Sequence, residues 1–147
     1  MKTKLKAMTL VELICVIAIV AILITIGVVG MKGVRRFRAE RQIHTMTGEL
    51  SDLRKRAMIM REPTQMIFNE DSYVIKYGRK NLTVPYEEDL SFVKSNTSKG
   101  KDYFIFSSSG RPSNSGTVTF CVGETMYQVI VAPVSGRIRM ERADEKS

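Results

Sequence analysis

The chain is predicted to be an α+β protein, a long N-terminal helix packed on a small antiparallel β-sheet head, and three observations carry that prediction. Met8 to Met31 holds a single charge, Glu12, in a stretch long enough to cross a bilayer. Ala39, Ile43, Met46, Leu50, Leu53, Ala57 and Met60 then recur at alternating steps of four and three, the spacing of one helix face. From Pro63 onward the apolar residues switch to period two, the signature of strands.

The first two observations predict one helix over Met8–Arg61, about 80 Å long at about 1.5 Å per residue. Pro63, with Glu62 ahead of it, ends the run. Gly27, Gly30 and Gly33 each cost about 1 kcal/mol relative to Ala, so a bend or local melting is expected where the helix would leave the bilayer. A stripe of this kind suits either a coiled coil or a helix packed on its own domain. The second is favoured, because no other helix is predicted and the strands need an apolar partner.

Gln65–Asn69 and Ser72–Tyr77 read as a hairpin around Glu70-Asp71, followed by a turn at Gly78-Arg79-Lys80-Asn81. The polar stretch Leu82–Lys101 offers only two short strands, Leu82–Val84 and Leu90–Val93. Tyr103–Phe106, Thr117–Val122, Met126–Val131 and Arg137–Met140 read as a meander that turns at Gly123-Glu124 and Pro133–Gly136.

The net charge of +8 is unevenly spread. Lys2, Lys4 and Lys6 precede the span, Lys32–Arg61 carries nine basic and three acidic residues, and Glu62–Ser147 carries eleven of each. A head neutral overall excludes a uniformly basic nucleic-acid-binding domain and leaves only a local cluster, or the helix, for such a contact. With positive charge on both sides of the span, topology by charge is ambiguous and leans toward an inside C-terminus.

Cys15 in the span and Cys121 in a distant strand make no plausible intrachain disulfide, and neither has a Cys or His neighbour at metal-ligand spacing. Both are expected to pack as small apolar residues. No nucleophile is paired with a base: the only histidine, His44, falls beside the helical stripe, away from Cys121 and from Ser107 to Ser109. Glu87-Glu88-Asp89 lacks the spaced ligands of a calcium loop. The expectation is therefore a non-enzyme without metal or cofactor. A secretory signal peptide competes as a reading of the N-terminus, but no A-x-A site follows the apolar run and Glu12 is out of place in an h-region.

The Lys-rich leader, Ala7, and then Met8-Thr9-Leu10-Val11-Glu12 resemble the class III signal of type IV prepilins. That resemblance implies a prepilin peptidase that cuts between Ala7 and Met8 and N-methylates Met8. Gly and Phe usually flank this cut in the family; here Ala7 and Met8 stand there, and alanine is small enough to keep processing. In the second half, Phe106, Gly110-Arg111-Pro112, Gly116–Phe120, Tyr127–Val131 and Gly136-Arg137-Ile138-Arg139 are similar to the GspH/FimT group of minor pilins and pseudopilins, in particular the ComGD-type competence pseudopilins of Gram-positive bacteria. The resemblance covers nearly the whole chain. It implies a leader peptide over residues 1–7, a transmembrane and assembly helix over 8–31, its amphipathic continuation over 32–61 and a β-sheet head over 62–147.

Glu12 has its own physical argument. An acid in mid-span costs roughly 2.5 to 3.5 kcal/mol, less near an end, so an intramembrane carboxylate marks a functional position. An α-amino group freed at Met8 would lie four residues away, on the same helix face and at the positive end of the helix dipole. Glu12 can then pair with its own amino terminus or with that of a neighbour in a packed array, and the second arrangement favours assembly. The plainer alternative is a carboxylate that snorkels to the headgroups.

Arg137 and Arg139 stand two apart on a predicted strand, so both project from one face, and Arg111 and Arg142 could extend the patch. Paired arginines suit phosphate, and FimT-like relatives carry a comparable Gly-Arg-x-Arg tail that resembles a DNA-contact element. The alternative is a solvated edge strand kept from aggregating by charge. Arg35, Arg36, Arg38 and Arg41 admit anionic lipid, an acidic filament partner or a solvated face.

The resemblance implies a minor pilin or pseudopilin of a type IV pilus-like filament that initiates or caps the fibre for DNA uptake. Its implied partners are other pilins or pseudopilins, prepilin peptidase, the cytoplasmic membrane and DNA. It implies a single-pass protein of the cytoplasmic (inner) membrane with the head outside, then a cell-surface or periplasmic filament. A GspH-like pseudopilin of a type II secretion system and a plain membrane-tethered binding domain are the alternatives.

Overall fold

The computed structural model of the protein describes residues 10–143, apart from the side chains of residues 26–29. One helix, α1, spans Leu10–Met60. The chain divides between Val34 and Arg35 into two compact units. In the first, the side chains of α1 from Leu10 to Thr25 are all exposed, apolar ones such as Leu10, Ile17 and Ile24 included. Among the described residues this is one helix long and apolar enough to cross a membrane. Gly27, Gly30 and Gly33 are all helical, so the local melting expected there does not occur. A glycine costs a helix about 1 kcal/mol, too little by itself to interrupt a helix that continues on both sides of it.

The second unit holds the rest of α1 and eight strands: β1 Thr64–Phe68, β2 Ser72–Tyr77, β3 Lys80–Pro85, β4 Leu90–Thr97, β5 Tyr103–Phe106, β6 Gly116–Val122, β7 Thr125–Val131 and β8 Ile138–Ala143. They form two antiparallel sheets of four strands, in the orders β3-β2-β1-β5 and β4-β6-β7-β8. The expected single small sheet is thus corrected to two. β5 does not belong to the meander but pairs with β1, Gln65 opposite Ile105. Chain proximity suggested the meander; what decides is that β4 crosses to the second sheet and β5 returns to the first.

Leu82–Lys101 is also richer in strand than its polarity implies. β3 is a sheet edge whose residues are almost all exposed, so it carries no alternating pattern to read. In β4 the register slips between Phe92 and Lys94, and the bulge breaks the period of two halfway along.

The stripe on α1 is the floor of the core. Ala39, Ile43, Met46, Leu50, Leu53 and Ala57 are buried and join Met66, Phe68, Tyr73, Phe104, Phe106, Val118, Phe120, Val129 and Val131 from both sheets in one cluster. Met60, the last residue of the expected stripe, is instead 46% exposed. The helix ends there: Arg61 takes a left-handed φ of 54° and Pro63 forbids continuation. The two sheets meet through aromatic rings. Phe68 of β1 sits edge-on to Phe120 of β6 at 5.8 Å between centroids and stacks with Phe92 of β4 at 6.5 Å. The buried Thr64 hydroxyl donates to the Leu53 carbonyl at 3.0 Å and pins the start of β1 to the helix.

Leu50→Ala is therefore expected to lower the unfolding free energy of the full chain in detergent by about 2 to 5 kcal/mol, as for other buried leucines. Met60→Ala should cost less than about 1 kcal/mol. Denaturant titration followed by circular dichroism separates the two, and equal losses would contradict this core.

Candidate functional site

Ala7 and Met8, the expected processing site, lie outside the described residues. Glu12 lies in the first turn of α1, exposed, where a carboxylate is favoured by the helix dipole. The arginines of the head are placed by its loops and its second sheet.

β8 is the edge strand of that sheet, paired with β7 from Met126 opposite Ala143 to Val131 opposite Ile138. Along it Ile138 and Met140 pack partly on the core while Arg139 is exposed. Arg137 sits one residue ahead of the strand rather than in it. It is held by its carbonyl, which accepts from the Ala132 N–H at 3.0 Å, and its own N–H donates to the Ser135 hydroxyl at 3.3 Å. Both guanidinium groups are outward, as their spacing implies, but the next residue on that face is Glu141, an acid in the same row. Arg142 faces the other way by the same alternation, so it does not extend the patch. It lies opposite Tyr127. The Tyr127 phenol is pushed up first by burial and then by its hydrogen bond to Glu40, at 3.0 Å, while the charges of Arg142 and Arg36 pull it down.

Arg111 does join Arg137, through their neighbours. Residues 107–112 form a tight loop in which the Gly110 N–H donates to the Ser107 carbonyl and the Ser107 N–H to the Arg111 carbonyl. The Nε–H of Arg54, on α1, donates to the Gly110 carbonyl at 3.1 Å. Gly136 has a φ of +60°, and a Cβ there would stand 3.1 Å from Pro112 Cδ, 3.2 Å from Arg54 Nε and 3.3 Å from the Gly110 oxygen. The loop before Arg111 and the turn before Arg137 therefore meet on Arg54, and only a glycine at 136 lets them close. Arg54 carries no signal of this in the sequence, where it is one basic residue among several on a helix.

Of the membrane-proximal arginines, Arg35 pairs with Glu88 at 3.0 Å and Arg36 with Glu40 at 3.2 Å. The Arg36 guanidinium also donates to the Thr125 hydroxyl at 2.9 Å. Arg38 and Arg41 form no ion pair among the described residues. They line an open groove of about 410 Å³ with Gln42, Thr45, Glu49, Tyr73, Val84 and Glu87. Gln42 fixes its far wall, donating to the Pro85 carbonyl at 2.7 Å and accepting from the Glu87 N–H at 2.8 Å. Cys121 is half-buried, its thiol directed at the Gly123 carbonyl at 3.0 Å, so it is more polar in setting than a small core residue. Cys15 is exposed.

Glu49 in this groove was not singled out by the sequence. Burial pushes its carboxyl above the ordinary range, the hydrogen bond from Tyr73 opposes that, and Asp52 adds to it. Its Oε2 is buried and has no hydrogen-bond partner among the described residues. The same burial and the adjacent Glu49 drive the Tyr73 hydroxyl far up.

No family model matches this chain, and neither a curated protein nor a solved structure matches it.

Because the folded chain holds a proton on Glu49 more tightly than the unfolded chain does, its contribution to stability falls as pH rises above the ordinary value of 4.5. Glu49→Gln should remove that dependence. The melting temperature of the variant relative to the parent should climb as pH is raised from 4 to 7, read by thermal scans on the same preparation; parallel curves would rule the effect out.

Proposed function

We propose that the protein is a minor pilin or pseudopilin of a type IV pilus-like filament, serving the uptake of DNA. The observation that carries this is the division of labour along α1. Its first part is exposed and apolar with one acid, Glu12, in the opening turn, and its second part is the floor of a β-rich head. A helix apolar all round is stable only in lipid or among other apolar helices. In the membrane it anchors the subunit; in a filament it packs against its copies, with Glu12 opposite an amino terminus freed by cleavage between Ala7 and Met8. The resemblance of the N-terminal motif to prepilin signals supports this order of events, and it outweighs a charge distribution that by itself leans toward an inside C-terminus.

In the head, Arg137, Arg139 and, across the Arg54 junction, Arg111 supply outward guanidinium groups on a sheet edge and its neighbouring loops. Such groups bind phosphate by paired charge-assisted hydrogen bonds. Glu141 in the same row limits the net charge, so DNA contact here is a local grip and not a broad electrostatic field.

Mass spectrometry of the chain from its native membrane, with and without the prepilin peptidase, tests the processing. A peptidase-dependent, N-methylated Met8 is expected; an intact Met1 would leave a tethered binding domain as the better reading. Glu12→Ala should insert normally but fail to enter filaments. Separately, alanine at both Arg137 and Arg139 should lower DNA uptake with filaments intact. Unchanged uptake together with impaired protein secretion would instead favour a subunit of a type II secretion machine.

A further inference from the structure

The four sheet edges of the head are finished differently. The edge of β5 is covered: Ile105 donates its N–H to Asn114 Oδ1 at 2.9 Å and accepts from the Ser113 N–H at 2.7 Å, and Phe106 bridges to Pro112. β4 is bulged at its middle and carries Lys94 there. β8 bears Arg139, Glu141 and Arg142. Charge, bulges and cover are the usual means of keeping a strand edge from pairing. β3 has none of them between Asn81 and Val84.

Its backbone polarity can be worked out from the ladder. The Tyr86 N–H donates to the Asp71 carbonyl at 2.9 Å, which marks that position as a hydrogen-bonded one. By the alternation of an antiparallel pair, Val84, Leu82 and Lys80 then bond back to β2, while Asn81 and Thr83 direct N–H and C=O away from the sheet. Pro85 also faces outward, but its carbonyl is taken by Gln42. What remains open is a short, uncharged run with two donors and two acceptors in strand geometry.

Beside this run lie two grooves between β3 and α1. Val84 lines the larger one with Arg38 and Arg41, and Leu82 lines a smaller one, of about 150 Å³, with Arg56, Asp52, Ile75 and Tyr77. Of the acids there, Asp52 is paired with Lys55 at 3.1 Å and Glu49 is held by Tyr73, which leaves Glu87 against the two arginines of the larger groove. Leu82 itself is 52% exposed on the rim. A strand added along β3 would send alternate side chains toward these grooves, which present arginines.

We propose that the edge of β3 is a docking site for an extended, acidic segment of a partner protein, which adds to the first sheet as a fifth strand. Backbone hydrogen bonds to Asn81 and Thr83 supply the attachment, and acidic side chains at alternate positions reach Arg38, Arg41 and Arg56. A second copy of β3 is a poorer occupant. The strand reads Lys80-Asn81-Leu82-Thr83-Val84-Pro85, has no acid, and would bring a lysine toward these arginines. The inference does not depend on the filament reading, since a tethered domain would carry the same edge.

The test uses the full chain in detergent micelles and a fluorescein-labelled peptide with glutamate at alternate positions and valine or threonine between them. The control peptide has lysine in place of glutamate. Anisotropy should report binding of the acidic peptide alone, and hydrogen exchange at the Asn81 and Thr83 amides should slow in its presence. Thr83→Pro removes one of the two outward donors and should weaken binding by at least about tenfold. Arg38→Glu with Arg41→Glu should abolish it. Should Thr83→Pro fail to fold, Leu82→Lys at the exposed rim replaces it, with the same loss expected. Equal binding of both peptides, no slowing at Asn81 and Thr83, or slowing that appears with protein concentration alone would each overturn the proposal, the last by making a second copy the occupant.

Discussion

The burial of one helical stripe, Ala39 to Ala57, is the interaction on which the head depends. Both sheets present apolar side chains inward, where they meet each other through Phe68, Phe92 and Phe120 and, in one cluster, meet the stripe of α1. Without it Tyr73, Ile75 and Phe104 on one sheet and Val129 and Val131 on the other would lose a large part of their cover. Each would then return to water a side chain whose burial contributes roughly 1.5 to 3 kcal/mol. A head of this size therefore draws part of its core from the helix. The same dependence fixes where the helix stops. Thr64 reaches back to the Leu53 carbonyl, so β1 must begin within a turn or so of the helix end, and the left-handed Arg61 followed by Pro63 makes that reversal.

How much of this could be read in advance depended on whether a residue's environment repeats along the chain. The stripe repeats at 3.6 and was legible to its penultimate member. Met60 failed because position on a helix face does not say where the partner surface ends. β1, β2 and β7 alternate between more and less buried positions, and β6 keeps its apolar alternation of Val118, Phe120 and Val122 although Thr119 between them is buried too, so all four were legible. β3 was shortened because an exposed edge has no buried face, and β4 because its bulge resets the alternation. The division into two sheets was invisible for a different reason: it is a matter of which strand pairs with which, and β5 could have continued the meander without violating any local preference. Pairing is decided by Phe104 and Phe106 finding the helix and Phe68.

The candidate site divides in the same way. That Arg137 and Arg139 project together follows from strand periodicity alone, and so does the departure of Arg142 to the opposite face. That Arg111 belongs with Arg137 follows from nothing local. It requires two loops separated in sequence to close on each other, and the closure is made by backbone: the Gly110 carbonyl on Arg54 and the absent side chain of Gly136. Glycine and arginine in these roles look like ordinary turn and surface residues until the contact is known. Glu49 was missed because a carboxylate at a helix position flanking the stripe is normally solvated, and its burial and its hydrogen bond from Tyr73 arise only once the sheet packs on the helix.

Edges decide what such a head can present, because its two faces are consumed differently. The inner faces close on the helix, and the other face of the second sheet carries Thr117 and Gln128, half-buried, with Thr119 buried. Distinctive chemistry is left to the rims. The arginine-bearing edge belongs to the second sheet and the open β3 edge to the first. No hydrogen-bonded strand pair is shared between them, and their residues have no partner in common among the contacts of Arg54 and Gln42. Substitutions at distant sites without shared partners act independently to within a few tenths of a kcal/mol. The anion grip proposed for one rim and the partner strand proposed for the other are then expected to act independently of each other.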